Sequence, residues 1–503
     1  MAVFEASASP LRLAGPIRGV QGGTAFMFAC RLFGSIAAAV FLAGASPSPS
    51  RQSSVESRTP VLRVSGRSFI DPAGRVVVLR GVNLSGGAKV PPFVALTDES
   101  QLDRLAVVGF NALRLVFIWE AYEPSPGGYD EAYLARMKAV ARAAWERGLY
   151  VIVDLHQDGF SRSLSRGSGD GFPLWAVSSR ATATTPDNGP RCKRWPILMM
   201  TDPGMHRSFS DFYADRAGVR SRYLGMVGRI AAGFAECPGV VGYDLMNEPW
   251  GDERQEIAPF HRDAVAAVRA EHPSAIMFIE GHVSTNTGRQ TRLERPPFEN
   301  MAYAPHYYHP ATIFRNSWRG GTDAIECAFE RMEGKAREWG VPFFLGEFGI
   351  AADADAASGY TEAIYQRLDE VLASGTQWNY CPTWNPRDKD GWNAEDFNIF
   401  RPDGSLRPNF ADRPFPRKVA GTPIRFQFRF ASYPRGDHSI EFTWNHDPIR
   451  GETEIYVPRR LFPRHSSLLI KGFGATCRRD ETGRLLLCRA SQPGIVWVRL
   501  SAE

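Results

Sequence analysis

The sequence predicts an α/β protein, a (β/α)8 TIM barrel followed by a C-terminal β-sandwich domain. Three observations support this prediction. Eight short apolar runs precede residue 413, amphipathic stretches lie between them, and only short alternating runs follow the Pro-rich segment 413–416. Strands that alternate with helices predict a parallel sheet, and eight such units predict a closed barrel. We assign residues 61–412 to the catalytic barrel and residues 413–503 to the sandwich.

The first 60 residues differ in composition from the rest. Arg31 precedes a short apolar run that ends with small residues at 43–45, and a Ser/Pro linker follows at 46–60. This order is typical of a secretory signal peptide, and the run is too short to span a membrane comfortably. We expect residues 1–45 to be removed and the protein to be secreted, with Met27 as an alternative start. An uncleaved membrane anchor is the rival interpretation.

Charge and cysteine content narrow the classes of partner. The formal net charge of +5 is small and the arginines are dispersed, which argues against nucleic-acid binding. Loss of Cys30 with the signal would leave six of the seven cysteines, an even number that permits disulfides after export. Cys477 and Cys488 flank a predicted hairpin at 480–483 and form the best candidate pair. The other four cannot be paired from sequence.

Each barrel strand is predicted where a short apolar run is bounded by turn residues. In order, the runs are Val76–Val82, Ala112–Phe117, Tyr150–Leu155, Val240–Leu245, Ala275–Glu280, Met301–Pro305, Phe343–Phe348 and Gln377–Tyr380. Helical periodicity marks Glu131–Arg147, Tyr223–Glu236, Ile257–Glu271, Asp323–Trp339 and Tyr360–Ala373. The long connection 156–207 follows the third strand, so we expect it over the C-terminal mouth, where substrate sites are built.

The sandwich is predicted from short alternating runs without helical periodicity. These are Ile424–Phe430, Ser439–Trp444, Thr453–Val457, Ser467–Lys471, Arg484–Cys488 and Ile495–Leu500. We expect this domain to brace the barrel, and a role in membrane binding is the alternative.

Two glutamates stand at the ends of predicted barrel strands. Asn247 and Glu248 end the fourth strand in the run YDLMNEP, and Glu347 ends the seventh in FLGEFG. The carboxyl ends of barrel strands meet at one mouth, so both carboxylates are expected in one pocket. Retaining glycoside hydrolysis needs such a pair about 5–5.5 Å apart. The sequence therefore predicts Glu248 as acid/base and Glu347 as nucleophile.

These motifs resemble glycoside hydrolase family 5 over the whole predicted barrel. Eight positions match active-site residues of that family, namely Arg114, His156, Asn247, Glu248, His306, Tyr308, Glu347 and Trp378. The resemblance implies a TIM barrel with its acid/base on the fourth strand and its nucleophile on the seventh. It also implies that no metal or other cofactor takes part, since two carboxylates and water suffice.

The matched side chains suit their implied roles physically. Asn247 can hydrogen-bond the sugar 2-hydroxyl, a contact that strengthens in the transition state. Tyr308 can donate to Glu347, and the charge of Arg114 can keep that carboxylate ionised. Trp378 offers a flat apolar face to a sugar ring. The two matched histidines either shape the pocket or are satisfied core side chains.

Two loops resemble the endoglycoceramidases within this family. One contains HQD at 156–158 followed by GDGFPLW, and the other contains WNY at 378–380 followed by DGWNAED. Lys89 and Asp158 match polar residues that bind sugar hydroxyls in those enzymes, although either can also be structural. The resemblance implies hydrolysis, with retention, of the bond between the sugar head group and ceramide of glycosphingolipids. Intact oligosaccharide and ceramide would be released.

A lipid substrate also requires apolar surface beside the site. The mouth loop and the segment 310–318 supply Phe160, Phe172, Leu174, Trp175, Trp195, Ile197, Leu198, Met199, Met200, Ile313, Phe314 and Trp318. The alternative is that these side chains only pack the loops onto the barrel.

Three other functions are open. They are exo-acting β-glucosidase activity on glucosylceramide or steryl glucoside, endoglucanase activity on polysaccharide, and glycolipid binding by a non-catalytic lectin. A hydrophobic channel at the glutamates would favour a lipid, and a long groove of aromatic platforms would favour a polysaccharide. We expect a monomer with a glycolipid substrate, a transient membrane-surface contact and no nucleic-acid partner.

Overall fold

A computed structural model describes residues 61–189, 195–430 and 438–502. The predicted signal peptide, the linker and Cys192 lie outside the described residues, so the expectations attached to them stay predictions. Within the described ranges, no helix has both the length and the apolarity that crossing a membrane requires.

From residue 61 onward, the described residues form three short antiparallel strands and then eight parallel ones. The antiparallel strands are β1 (Arg63–Ser65), β2 (Ser68–Ile70) and β3 (Val76–Val77). The parallel strands are β4 (Arg80–Leu84), β5 (Ala112–Ile118), β6 (Tyr150–His156), β7 (Val240–Asp244), β8 (Ile276–Ile279), β9 (Met301–Tyr303), β10 (Phe344–Leu345) and β11 (Ser374–Tyr380). Their order is β10-β11-β4-β5-β6-β7-β8-β9. A parallel bridge between Tyr303 and Phe343 closes the ring, which confirms the predicted barrel.

Ten α-helices occur in the described residues, and the longest follow barrel strands. They are α1 (Asp103–Val107), α2 (Trp119–Tyr122), α3 (Glu131–Glu146), α4 (Trp195–Thr201), α5 (Pro203–Tyr213), α6 (Val219–Phe234), α7 (Ala258–Glu271), α8 (Pro310–Arg315), α9 (Asp323–Trp339) and α10 (Ala357–Glu370). In α9, Ile325, Phe329 and Met332 are buried on one face, as helical spacing requires. Gly340 ends α9 with a φ of +69°, a conformation that glycine adopts readily.

The prediction of one strand over residues 76–82 was wrong. Residues 76–77 pair with the C-terminal domain, and the barrel strand begins only at Arg80. The apolar run is continuous because two cores meet there. Leu79 packs beneath the barrel, whereas Val78 packs against Phe415 and Tyr456. Hydropathy therefore could not show where the chain passes from one sheet to the other.

The described part of the C-terminal segment, residues 413–430 and 438–502, contains eight antiparallel strands. They are β12 (Phe415–Val419), β13 (Gly421–Arg429), β14 (Ser439–His446), β15 (Thr453–Tyr456), β16 (Ser467–Lys471), β17 (Thr476–Arg479), β18 (Leu485–Arg489) and β19 (Gly494–Ser501). One sheet has the order β13-β14-β19-β16, and the other has the order β1-β2-β3-β12-β15-β18-β17. The N-terminal strands thus complete the larger sheet. A disulfide joins Cys477 on β17 to Cys488 on β18, as predicted.

Candidate active site

The two glutamates lie just after β7 and β10, on the C-terminal side of the barrel. One carboxylate oxygen from Glu248, one from Glu347 and a ring nitrogen of His306 lie within 4.8 Å of one another. The backbone of Glu248 adopts a φ of +43°, which is uncommon for a residue with a side chain. Its N–H donates to Glu280 Oε2 at 3.1 Å. The structure therefore brings the predicted pair together.

Glu347 is held by a donor at each carboxylate oxygen. Arg114 Nη1 donates to Oε1 at 2.7 Å, and the Tyr308 hydroxyl donates to Oε2 at 2.8 Å. Burial raises the pKa of Tyr308 well above its ordinary value, and the charge of Glu347 raises it further. Tyr308 consequently remains a hydrogen-bond donor. Both contacts fix the orientation of the carboxylate that would act as the nucleophile.

Arg114 is fully buried among carboxylates. Besides Glu347, its Nη atoms lie 2.9 Å from Asp154, 2.9 Å from Asp244 and 3.4 Å from Glu280. Burial by itself would lower the pKa of Arg114, but these carboxylates outweigh it and raise the pKa well above its ordinary value. The guanidinium therefore stays charged beside the nucleophile.

Glu248 has a different environment. Its Oε1 lies 2.8 Å from His306 Nδ1. Burial raises the pKa of Glu248 above its ordinary value and the charge of Glu347 adds to this, although His306 opposes the shift. A carboxyl that keeps its proton to higher pH suits a general acid. Gln157 holds the strand end in place, because its Nε2 donates to the carbonyls of Asn247 and Glu248.

Lys89 and Asp158 are buried members of one network. Lys89 is 1% exposed, pairs with Asp158 and lies 3.1 Å from Asp170. Burial alone would lower the pKa of Lys89, yet Asp158 and Asp170 raise it above its ordinary value. The Nζ also lies 3.3 Å from the centre of the Trp392 ring. Lys89 is therefore not a solvated loop charge.

The matched residues His156 and Trp378 form one stacked wall. Their ring centres lie 5.5 Å apart with an interplanar angle of 12°. His156 Nδ1 lies 2.7 Å from Asp154, and Nε2 lies 3.2 Å from Asp158. Burial opposes protonation of His156, but Asp154 outweighs it, and these partners raise its pKa to about 10. His156 thus connects the Lys89 network to the carboxylates around Arg114.

Several residues of the site were not predicted from sequence. Glu395 accepts from the Trp378 indole at 3.2 Å, and burial raises its pKa to about 7 despite the charge of Lys89. Asp170 and Trp392 complete the surroundings of Lys89. Asp170, Trp392 and Glu395 all fall within the quoted loop motifs, which were the only signal for them. Glu280 comes directly after β8, the fifth strand of the barrel. The catalytic glutamates also follow barrel strands, so the position of Glu280 in the sequence could have identified it as a site residue.

The catalytic pair lines a cavity of about 560 Å³. Some of the side chains that line this cavity are polar and others are apolar. Lys89, Asp158, Glu395 and the two glutamates line its polar part. The apolar lining is formed by Trp195, Met199, Met200, Met205, Phe209, Ile313 and Phe314.

The members of the predicted apolar set do not share one role, and Leu174, Trp175, Ile197, Leu198 and Trp318 do not line the cavity. Trp195, Met199, Met200, Ile313 and Phe314 line the cavity. Phe160 and Phe172 are instead buried and stacked on each other, so they pack the loop onto the barrel.

Four groups of three side chains hold potential metal-ligand atoms within 4.8 Å of one another. They are Asp154, His156 and Glu347; His156, Asp158 and Asp170; Asp244, Glu280 and His306; and Glu248, His306 and Glu347. Arg114 or Lys89 already lies against six of these carboxylates. The expectation that no metal takes part stays a prediction.

Comparisons with known proteins agree with this geometry. Residues 70–383 match the cellulase family, glycosyl hydrolase family 5, and residues 413–500 match the glycoside hydrolase family 5 C-terminal domain. Endoglycoceramidase I of Rhodococcus hoagii is 30% identical, covering 88% of this chain and 89% of that protein. A glucosylceramidase of Cryptococcus neoformans is 34% identical, covering 81% and 85%.

A solved structure shares both parts of the fold. Endoglycoceramidase II from Rhodococcus sp., in a ganglioside GM3 complex, superposes with a TM-score of 0.73 at 26% identity, covering 87% of this chain and 100% of that one. Since the family match spans the barrel and the domain that follows it, this chain is a glycoside hydrolase and belongs to family 5.

Proposed function

We propose that this enzyme hydrolyses the bond between the sugar head group and ceramide of glycosphingolipids, releasing intact oligosaccharide and ceramide. The observation that carries the proposal is the cavity, whose lining joins both glutamates and other polar side chains to a set of apolar side chains. A glycolipid needs both kinds of surface on either side of the scissile bond. The endoglycoceramidases among the relatives support this choice of substrate.

We propose that hydrolysis proceeds with retention. Glu347 would attack the anomeric carbon while Glu248 protonates the leaving oxygen, and Glu248 would then deprotonate the water that releases the sugar. The approach of the two carboxylates within 4.8 Å supports this route. An inverting enzyme needs a separation of roughly 6.5–9.5 Å to admit its water.

We further propose that the exported enzyme works as a monomer in transient contact with a membrane surface. Met200 on α4 and Phe314 on α8 support the membrane contact, because each lines the apolar wall and is about half exposed, at 53% and 50%. Export rests on the signal-like segment of the sequence.

The decisive experiment offers the enzyme ganglioside GM3, glucosylceramide and a cello-oligosaccharide separately, with products identified by mass spectrometry. We expect intact GM3 oligosaccharide and ceramide. Glu347→Gln should lower turnover on the order of 10⁴-fold or more, as the loss of a nucleophile does in other covalent catalysts. Cleavage of the cello-oligosaccharide alone would overturn the proposal and favour an endoglucanase.

The exo-acting glucosylceramidase considered from the sequence is the alternative that the same experiment separates. It would release glucose from glucosylceramide and leave GM3 intact.

Retention is tested by NMR of the sugar released first, which should be the β-anomer. In addition, Glu248→Ala with azide and an activated aryl β-glycoside should yield the β-glycosyl azide. An α-configured product would contradict retention.

A further inference from the structure

The turn after β8 lines the same cavity as the catalytic pair. It comprises His282 and the 3-10 helix Val283–Thr287. The Val283 N–H donates to the carbonyl of Pro249 at 3.0 Å, next to the acid/base. The Tyr308 N–H donates to the carbonyl of Asn286 at 2.8 Å. Since Tyr308 also bonds the nucleophile, this turn is attached to both halves of the catalytic machinery.

A buried carboxylate fixes the start of this turn. Glu253 accepts from the His282 N–H at 3.0 Å and also from the Arg292 N–H and the Thr291 hydroxyl. A side chain at Gly281 would come within 2.7 Å of Glu253 Oε1, so the backbone and the carboxylate are closely packed. The turn therefore holds its side chains at defined positions before a ligand binds. Less free energy is then lost in ordering them when a ligand binds.

Two polar groups on this turn face the cavity without a protein partner. Asn286 is 8% exposed, lines the cavity, and its side-chain amide makes no hydrogen bond to any residue that the structure describes. His282 also lines the cavity, and its Nδ1 accepts from the Ser284 N–H at 3.0 Å. The proton of a neutral His282 ring is therefore on Nε2, which has no partner among the described residues.

The ceramide leaving group carries polar groups that the Asn286 and His282 side chains can hydrogen-bond. In a sphingolipid, an amide and a secondary hydroxyl follow the scissile oxygen within a few bonds. They must therefore lie close to Glu248, which protonates that oxygen, and to the turn attached beside it. The Asn286 amide is open to the cavity and has no partner among the described residues, so a substrate amide or hydroxyl can hydrogen-bond it there. A sterol or a simple alkyl chain has no polar group there.

We propose that Asn286, assisted by His282, binds the amide and hydroxyl of the ceramide leaving group. The turn thereby selects sphingolipid glycosides over glycosides of apolar alcohols. This inference rests on the proposed function, because it assumes that the enzyme cleaves a glycolipid at this site. Asn286 and His282 are binding residues in this proposal, and neither takes part in proton transfer.

The test measures kcat/KM of Asn286→Leu on lactosylceramide and on octyl β-lactoside, which has the same sugar but no amide or second hydroxyl. We expect a loss of about tenfold or more on lactosylceramide and a change of less than about twofold on the octyl glycoside. Gln290→Leu, at an exposed position of the same loop outside the cavity lining, is the matched control and should change neither rate.

Three outcomes would overturn the inference. These are an equal loss on both substrates, no loss on either, and an equal loss from the Gln290→Leu control. Asn286→Ser, which is small and polar, provides a second variant if the leucine variant does not fold, and it should lose less selectivity. Failure of the proposed function would look different, because the wild-type enzyme itself would then not cleave lactosylceramide.

Discussion

At the scale of single residues, the two catalytic carboxyls are distinguished by their neighbours. Arg114 and Tyr308 both donate to Glu347, whereas burial keeps the proton on Glu248 to higher pH. One carboxyl is thereby prepared to attack and the other to donate a proton. The sequence predicted this division of roles from strand positions and the family resemblance, but it could not show the contacts that produce it.

The first prediction concerns the pH profile. Because the acid form of Glu248 is required and its pKa is raised, kcat/KM should fall as pH rises through a value above the ordinary 4.5 of a glutamate. His306 lowers the pKa of Glu248, so His306→Gln should move this basic limb to higher pH. The measurement is the pH dependence of kcat/KM on an aryl β-glycoside. A limb that moves to lower pH would contradict the assignment.

The second prediction concerns Lys89. Lys89→Met leaves the buried carboxylates of Asp158 and Asp170 without this cation, and breaking a buried pair in this way costs about 3–5 kcal/mol. Lys138→Met is the control, because its partner Glu236 is largely exposed, and it should cost less than about 1 kcal/mol. Urea unfolding measures both. Equal losses would show that the Lys89 network contributes no more than a surface pair.

At the scale of secondary-structure elements, the sequence was most accurate where a pattern was long and periodic. The predicted bounds of α9 are the observed ones, Asp323–Trp339. Over these 17 residues the buried side chains recur at helical spacing, which makes the pattern easy to identify. The six-residue prediction at 343–348 corresponds to the two-residue strand β10. Burial extends beyond this strand because the cavity and the barrel core continue past it. Apolar character alone therefore cannot show where strand pairing ends.

The third prediction concerns the helices α4 and α8 at the cavity mouth. If Met200 and Phe314 contact lipid, replacing both with Asp removes apolar surface and adds charge at a membrane interface. We expect about a tenfold lower rate on a glycolipid in vesicles and a smaller loss on a soluble aryl β-glycoside. Val107→Asp, at an exposed apolar position outside the cavity lining, should leave both rates unchanged. Equal losses on both substrates would contradict a membrane contact.

At the scale of the whole molecule, the barrel and the C-terminal domain share a sheet and a packed boundary. Strand β3 pairs with β12. Tyr456 packs so closely on Gly109 that a Cβ there would lie 2.4 Å from the ring, and its hydroxyl donates to Asp412 at 3.0 Å. These contacts agree with the expectation that the domain braces the barrel.

The fourth prediction follows from that boundary. Tyr456→Ala should lower the free energy of unfolding by about 3–5 kcal/mol, as truncation of a buried aromatic does. Tyr456→Phe removes only the hydroxyl, with its hydrogen bond to Asp412 and its longer contact with the Val107 carbonyl, and should cost about 1 kcal/mol. Enzyme activity and far-UV circular dichroism should be lost in one transition on heating. A barrel that stays active after the domain has unfolded would contradict this coupling.

The sequence by itself determined the barrel, the disulfide pair and the convergence of Glu248 and Glu347. Strand and helix periodicity is a local property, and the carboxyl ends of parallel strands must meet at one mouth. Only the tertiary structure decided that the first three strands join the C-terminal sheet, that Lys89 and Glu395 line one cavity, and that the Asn286 side chain lines the same cavity. Each of these depends on which distant segments pack together, and no local pattern of residues encodes that choice.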